Sequence, residues 1–259
     1  MKIDKIIVLI AALTIMGCSS DDDEQSRSYT FVNVAPPKWS VDFKGNDSSP
    51  SWLAPDPTKY ESSMFIMVQL EDALVPYSTD ADLMTVLING ECRAVPAVRN
   101  VDENNNISFV LKIRGNSNDR NVLFSLCYYC AALNQIFSLE GYQSFATEIT
   151  YGFDEDFVPS LLKGCPKYPV QNTLTVNLPA KAPFTAADGD CVAVFVGNEC
   201  RGVGTVEKPF TVFRTAENET LQLRYYSAQK GGVFTLTQAV TLAAQEEQTI
   251  TLTFYADWL

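Results

Sequence analysis

The sequence predicts an all-β protein: two tandem β-sandwich domains that follow a signal peptide and a tether. Three observations predict it. The stretch Asn89-Gly90-Glu91-Cys92-Arg93-Ala94-Val95 returns as Gly197-Asn198-Glu199-Cys200-Arg201-Gly202-Val203. Each copy follows an apolar, strand-like run, Leu83–Ile88 in the first and Cys191–Val196 in the second, and each run opens on an acidic pair. Short segments rich in Val, Thr, Tyr and Phe alternate with turn residues, and no long stretch sustains a helical period.

From the N-terminus, Lys2 and Lys5 precede an apolar run from Ile6 to Met16, so residues 1–17 read as a signal peptide too short to span a bilayer. Ile15-Met16-Gly17-Cys18 resembles the bacterial lipobox, which makes Cys18 the expected site of lipidation. Acyl chains contribute about 0.8 kcal/mol per buried methylene, so a multi-chain anchor holds firmly. An ordinary secretory signal with a chance cysteine is the alternative. Ser19-Ser20-Asp21-Asp22-Asp23-Glu24 looks like the acidic export signal of Bacteroidetes surface lipoproteins; the alternative is a solvated spacer that leaves the protein facing the periplasm. Residues 18–50 then form a lipidated tether and extended lead-in. The segment Tyr29–Pro57 carries Trp39, Phe43 and Trp52 among Pro, Ser and Asp, and is expected to pack on the first sandwich.

The first sandwich, residues 51–160, offers strands at Met64–Leu70, Leu83–Ile88, Cys92–Val98, Ser108–Ile113, Val122–Tyr129, Gln135–Leu139 and Thr147–Tyr151. The second, residues 166–259, offers Thr173–Leu178, Cys191–Val196, Cys200–Val206, Phe210–Arg214, Thr220–Tyr226, Val233–Thr237 and Thr249–Phe254. About seven short strands per copy fit an immunoglobulin-like sandwich. Asn89-Gly90 is a tight-hairpin signal, and Gly197-Asn198 takes the same place. The copies align at an offset of 108 through Val95 against Val203, then at 97 where Tyr128-Tyr129 meets Tyr225-Tyr226. The final strands are expected to match as Ile149–Phe153 against Ile250–Phe254. The join falls near Pro159–Pro169, where Gly164, Pro166 and Pro169 break regular structure.

Composition excludes several functions. Asp plus Glu number 31 against 19 Lys plus Arg, a net charge of −12, which repels phosphate backbones and argues against nucleic acid. The chain has no histidine, which removes Ser-His-Asp and Cys-His machinery and His-based metal sites. With Cys18 lipidated, Cys92, Cys127, Cys130, Cys165, Cys191 and Cys200 remain for packing or disulfides, in pairings that sequence leaves open. Cys127 and Cys130 have redox-motif spacing but lie in a strand-like run, where nothing favours a thiolate.

Four sets of residues are candidates for chemistry. Glu91-Cys92-Arg93 and Glu199-Cys200-Arg201 recur while their neighbours differ; in a strand the Glu and Arg share a face. Read structurally, each Arg pairs with its Glu or a nearby acid, and this is the preferred reading. Read functionally, Arg93 and Arg201 turn bidentate guanidinium groups to a ligand. Asp80, Asp82, Asp188 and Asp190 could supply oxygen ligands to a calcium ion, or simply cap strand starts. Trp39, Trp52 and Tyr60 could form an aromatic platform for sugar rings, or pin the lead-in to the core. Carboxylates for glycoside hydrolysis are plentiful, but nothing in the sequence places two together.

The residues Trp52, Pro55-Asp56-Pro57, Tyr60-Glu61-Ser62-Ser63-Met64, Asp82-Leu83-Met84 and Glu91–Val95 resemble a family of Bacteroidetes surface lipoproteins with duplicated Glu-Cys-Arg sandwich repeats. The resemblance implies a lipid-anchored outer-membrane protein facing the cell exterior, and supplies no catalytic residue and no cofactor. The expectation is a non-enzymatic binding or adhesion protein whose partner is a glycan or host polymer. The alternatives are a subunit of a fimbria-like assembly and a glycan-processing enzyme.

Overall fold

The computed structural model describes residues 29–180, 184–237, 239–242 and 247–252. The signal segment, Cys18, the acidic run and the end of the last expected strand lie outside them. The chain is all-β. Its strands are β1 (Tyr29–Asn33), β2 (Ser62–Gln69), β3 (Leu83–Ile88), β4 (Glu91–Cys92), β5 (Ala97–Val98), β6 (Asn100–Val101), β7 (Ile107–Gly115), β8 (Leu123–Cys130), β9 (Gln135–Ser144) and β10 (Thr150–Tyr151). There follow β11 (Val170–Asn177), β12 (Cys191–Val196), β13 (Glu199–Gly204), β14 (Phe210–Arg214), β15 (Gln222–Ser227), β16 (Gly232–Leu236) and β17 (Glu247–Thr251).

Four sheets stack in two pairs. In the first unit the order β10-β2-β7-β6 faces β4-β3-β8-β9, with β5 beside β3; in the second, β14-β11-β17 faces β1-β16-β15-β12-β13. Strand alternation explains the stacking. Met64, Ile66 and Val68 of β2 are buried while Phe65 and Met67 between them are not, and they meet Met84, Val86 and Leu126 from the facing sheet. Leu174 and Val176 of β11 meet Val192, Val194, Leu223 and Tyr225 in the same way. Burial of this kind contributes about 25 cal/mol per Å² of apolar surface and is what holds the sheets face to face.

The two units repeat one topology. β10 runs parallel to β2, and β17 runs parallel to β11, while the other pairings are antiparallel. The hairpins also match: Asn89 and Gly90 both have positive φ, 52° and 77°, whereas of Gly197 and Asn198 only the glycine does, at 59°. Those are the needs of type I′ and type II′ turns, so reversing the dipeptide changes the turn and keeps the hairpin.

Four expectations are corrected. The lead-in does not simply pack on the first sandwich. Its start, β1, pairs antiparallel with β16 of the second, Phe31 opposite Phe234, and Trp39 sets its ring edge on Phe195 at 5.8 Å. Only further on does it hold the first unit, where the Asp47 carboxylate accepts from the Ile136 N–H at 2.7 Å.

The expected strand Cys92–Val98 is split into β4 and β5, because Pro96 lacks the N–H that a ladder needs; Gly204 replaces it in the second copy and β13 runs through. The final strands do not match at the expected offset. Tyr151 pairs with Ile66 and Gln248 with Leu174, so the offset stays at 97 and only one deletion of 11 residues (108 − 97) separates the copies.

Finally, the join is not a plain linker. Leu161, Leu162, Cys165 and Tyr168 are buried in the first core together with Phe213 of β14, and a 3-10 turn Leu161–Gly164 lies on β9. Gly164 is required there: a Cβ would lie 2.2 Å from the Ser138 carbonyl oxygen.

Candidate functional site

The acidic residues that open each sandwich hairpin have a structural task. Asp82, fully buried, accepts from the Tyr128 hydroxyl at 2.6 Å, the Ala131 N–H at 2.9 Å, and both the N–H and hydroxyl of Thr79 at 3.0 Å. Asp190 repeats this with the Tyr225 hydroxyl, the Ala228 N–H at 2.7 Å and the Ala187 N–H at 3.0 Å. Burial pushes both tyrosines well above their usual range. The oxygens expected to face a calcium ion are therefore occupied by donors. Asp80 pairs with Arg99 at 2.7 Å, and Asp188 is exposed. Among the described residues, no three His, Cys, Asp or Glu side chains gather as a metal site would need.

In each Glu-Cys-Arg triplet the arginine is buried, while the glutamate stays at the surface. Arg93 is buried, donates to Asp119 at 2.8 Å and to Glu91 at 3.1 Å, and lies 4.6 Å from the centre of the Tyr60 ring. The Tyr60 hydroxyl closes the group by donating to Glu91 at 2.6 Å. Arg201 donates to Glu219 at 2.9 Å, approaches Glu199 at 3.3 Å and lies 5.1 Å from the Tyr168 ring, whose hydroxyl is 2.9 Å from Glu199. The repeat is thus Tyr, Glu, Arg and a distant acid, with Tyr60 and Tyr168 at the 108 offset. Sequence reading missed Tyr168, though the offset pointed to it. Arg93 ties its hairpin to Tyr60 before β2 and to Asp119 after β7, and Arg201 ties its own to Tyr168 before β11 and to Glu219 after β14. Arg93, Arg201 and Tyr60 are thus engaged in contacts within the fold.

The six cysteines among the described residues are free thiols, and burial raises those of Cys127, Cys130, Cys165 and Cys200, with Cys191 pushed to about 11. A raised thiol is a poorer source of thiolate, so burial works against nucleophilic use of these five.

No ring contact joins Trp39, Trp52 and Tyr60 among the described residues; the Tyr60 hydroxyl donates to Glu91, and Trp52 is half-buried. Trp39 instead borders a groove at the junction of the units. One hollow of about 360 Å³ has Trp39, Phe43, Tyr77, Val203 and Phe213 on its walls. A neighbouring hollow of about 250 Å³ is lined by Lys163, Gln171, Asn172 and Glu247, and the two share Glu71, Leu162, Thr211 and Phe213. Glu71 is positioned at the end of β2, where it accepts from the Leu162 N–H at 2.7 Å. Burial raises its carboxyl despite that hydrogen bond. The Phe43 ring meets Phe213 edge-on at 4.9 Å, so the lead-in forms one wall. Apolar faces on one side and amide, hydroxyl and charged groups on the other suit a polar ligand with an apolar face.

Fold and groove together define an all-β protein of two sandwiches with a cleft at their junction. No family model matches the sequence, and no curated protein matches it. Among solved structures the chain is similar to the Bacillus anthracis TIE protein at 8% identity and a TM-score of 0.21, covering 75% of this chain and 35% of that one. The match spans about a third of that chain, and a likeness of this degree carries no argument. No helix among the described residues is long and apolar enough to cross a membrane.

Proposed function

We propose that the chain is a lipid-anchored, cell-surface binding protein without catalytic activity, and that it takes a glycan in the junction groove. The observation that carries the reading is the meeting of Trp39 and Tyr77 with Glu71, Lys163 and Gln171 along one cleft. Sugar rings offer an apolar face for an indole and hydroxyls for amide and carboxylate groups. A glycan array probed with the mature chain is the test. Trp39→Ala should weaken the best ligand about tenfold, which corresponds to roughly 1.4 kcal/mol, while Trp52→Ala leaves it unchanged. No ligand on the array, or equal loss in both variants, would end the groove assignment. Glu71 and Glu247 line the same hollow. Release of reducing ends from the bound glycan, abolished by Glu71→Gln, would replace binding by hydrolysis.

A second reading, a subunit of a fimbria-like assembly, draws on β1. This strand lies some two hundred residues from its partner in sequence and is mostly exposed, so an equivalent strand from another copy could occupy its place. Sedimentation at high concentration should then show oligomers that disappear when residues 29–33 are deleted; monomers throughout would remove this reading.

A further inference from the structure

We propose that the outer edge of β10 is a docking site for an extended, basic polypeptide segment, at a site separate from the junction groove. β10 ends the order β10-β2-β7-β6, so its outer side has no strand neighbour among the described residues. Around it Tyr142, Ile149, Tyr151, Phe153 and Val158 are 38–47% exposed. Tyr142 and Tyr151 lean on the buried Phe157 ring at 5.6 and 4.7 Å, and Phe153 lines one hollow with Tyr151.

The second sandwich shows that the fold does not require this. β17 holds the same place beside β11, and Gln248 stands where Tyr151 does. Its exposed residues are Glu247, Thr249 and Thr251. A polar edge therefore closes this sheet equally well, and an apolar one exposed to water invites a partner.

The partner's charge follows from the next residues. Gly152, at φ 79° and with the Met67 carbonyl oxygen 2.2 Å from where a Cβ would stand, turns the chain out of the sheet. Residues 150–156 then curl around a hollow of about 260 Å³ that brings Tyr151 and Phe153 beside Asp154, Glu155 and Asp156. Among the described residues none of these three carboxylates has a side-chain hydrogen bond or ion pair, and they do not converge as metal ligands. Aromatic faces beside unpaired carboxylates suit Arg or Lys, whose stems lie on rings while the charge meets an acid. A nucleic acid or an anionic lipid surface would be repelled. An extended segment can also use the free backbone groups of the edge.

The test is fluorescence anisotropy of the mature chain with a short labelled peptide alternating Arg with Val, and with its counterpart carrying Glu for Arg. The Arg peptide should bind and the Glu peptide should not. Tyr151→Ser with Phe153→Ser should weaken binding about tenfold, as should Asp154→Asn, Glu155→Gln and Asp156→Asn together, which should also flatten the salt dependence. Neutralising Asp21, Asp22 and Asp23 instead removes equal charge and should change nothing, as should Trp39→Ala. Tyr151, Phe153, Asp154, Glu155 and Asp156 are all exposed, so their substitution leaves the core intact. Failure of the Arg peptide to bind, or equal weakening by the two charge-matched triple variants, would overturn the proposal. So would peptide-independent capture by neutral phosphatidylcholine vesicles that the Tyr151/Phe153 variant abolishes.

Discussion

Asp82→Ala is expected to destabilise the first sandwich by about 4 kcal/mol, enough to remove its cooperative unfolding from a marginally stable fold. The change strands the buried Tyr128 hydroxyl and takes the acceptor from the half-buried Thr79 and Ala131 N–H groups. Each such orphan costs roughly 1–3 kcal/mol. Tyr128→Phe removes one donor, keeps the ring packed on Phe109 and Phe137, and should cost only about 1–2 kcal/mol. The same pair of changes at Asp190 and Tyr225 should act on the second sandwich. Urea unfolding followed by tryptophan fluorescence and circular dichroism reads both. If Asp82→Ala melted like the parent chain, the buried acid would not be what closes this end of the sheet.

Arg93→Ala is expected to cost about 3–5 kcal/mol, because it leaves the buried Asp119 without its counter-charge. Arg93→Met should cost less than Ala, since it keeps part of the apolar stem of a buried side chain. The pH dependence gives an independent reading. Burial alone would raise the Asp119 carboxyl, but the Arg93 guanidinium and the Asn116 N–H outweigh it and hold it below the usual range. A carboxyl lowered in the folded state contributes stability that is present above its unfolded pKa and lost as pH falls through the folded one, here below about pH 4. In Arg93→Ala the carboxyl loses the charge that lowers it, so its folded pKa moves up to or past the unfolded one and this acid-range loss of stability should shrink or reverse. Thermal melts across the acid range measure this, and parallel curves for the two proteins would mean that Arg93 does not hold the acid.

These two clusters show how far the sequence could be read. The Glu-Cys-Arg repeat and the acidic pairs stood out because duplication kept them while neighbours changed. What they do was hidden, because each partner lies far off in the chain: Tyr128 is 46 residues from Asp82, and Asp119 is 26 from Arg93. A free guanidinium and one locked between two acids look the same in one dimension. Tyr60 was read as a ligand platform for the same reason, and the groove escaped notice because its walls come from the lead-in, the β2–β3 connection, the 3-10 turn and β14.

Local chemistry by itself determined the all-β class, the hairpins at Asn89-Gly90 and Gly197-Asn198, most of the strand positions and the internal copy. Period-two burial and turn geometry act over a few residues and leave their mark in order along the chain. Tertiary structure alone decided where the lead-in goes, how the last strands register, that the join is buried, and which acids are consumed inside the fold. Those outcomes rest on contacts between distant segments, where satisfying a buried charge or covering an open strand depends on what folding has already brought alongside.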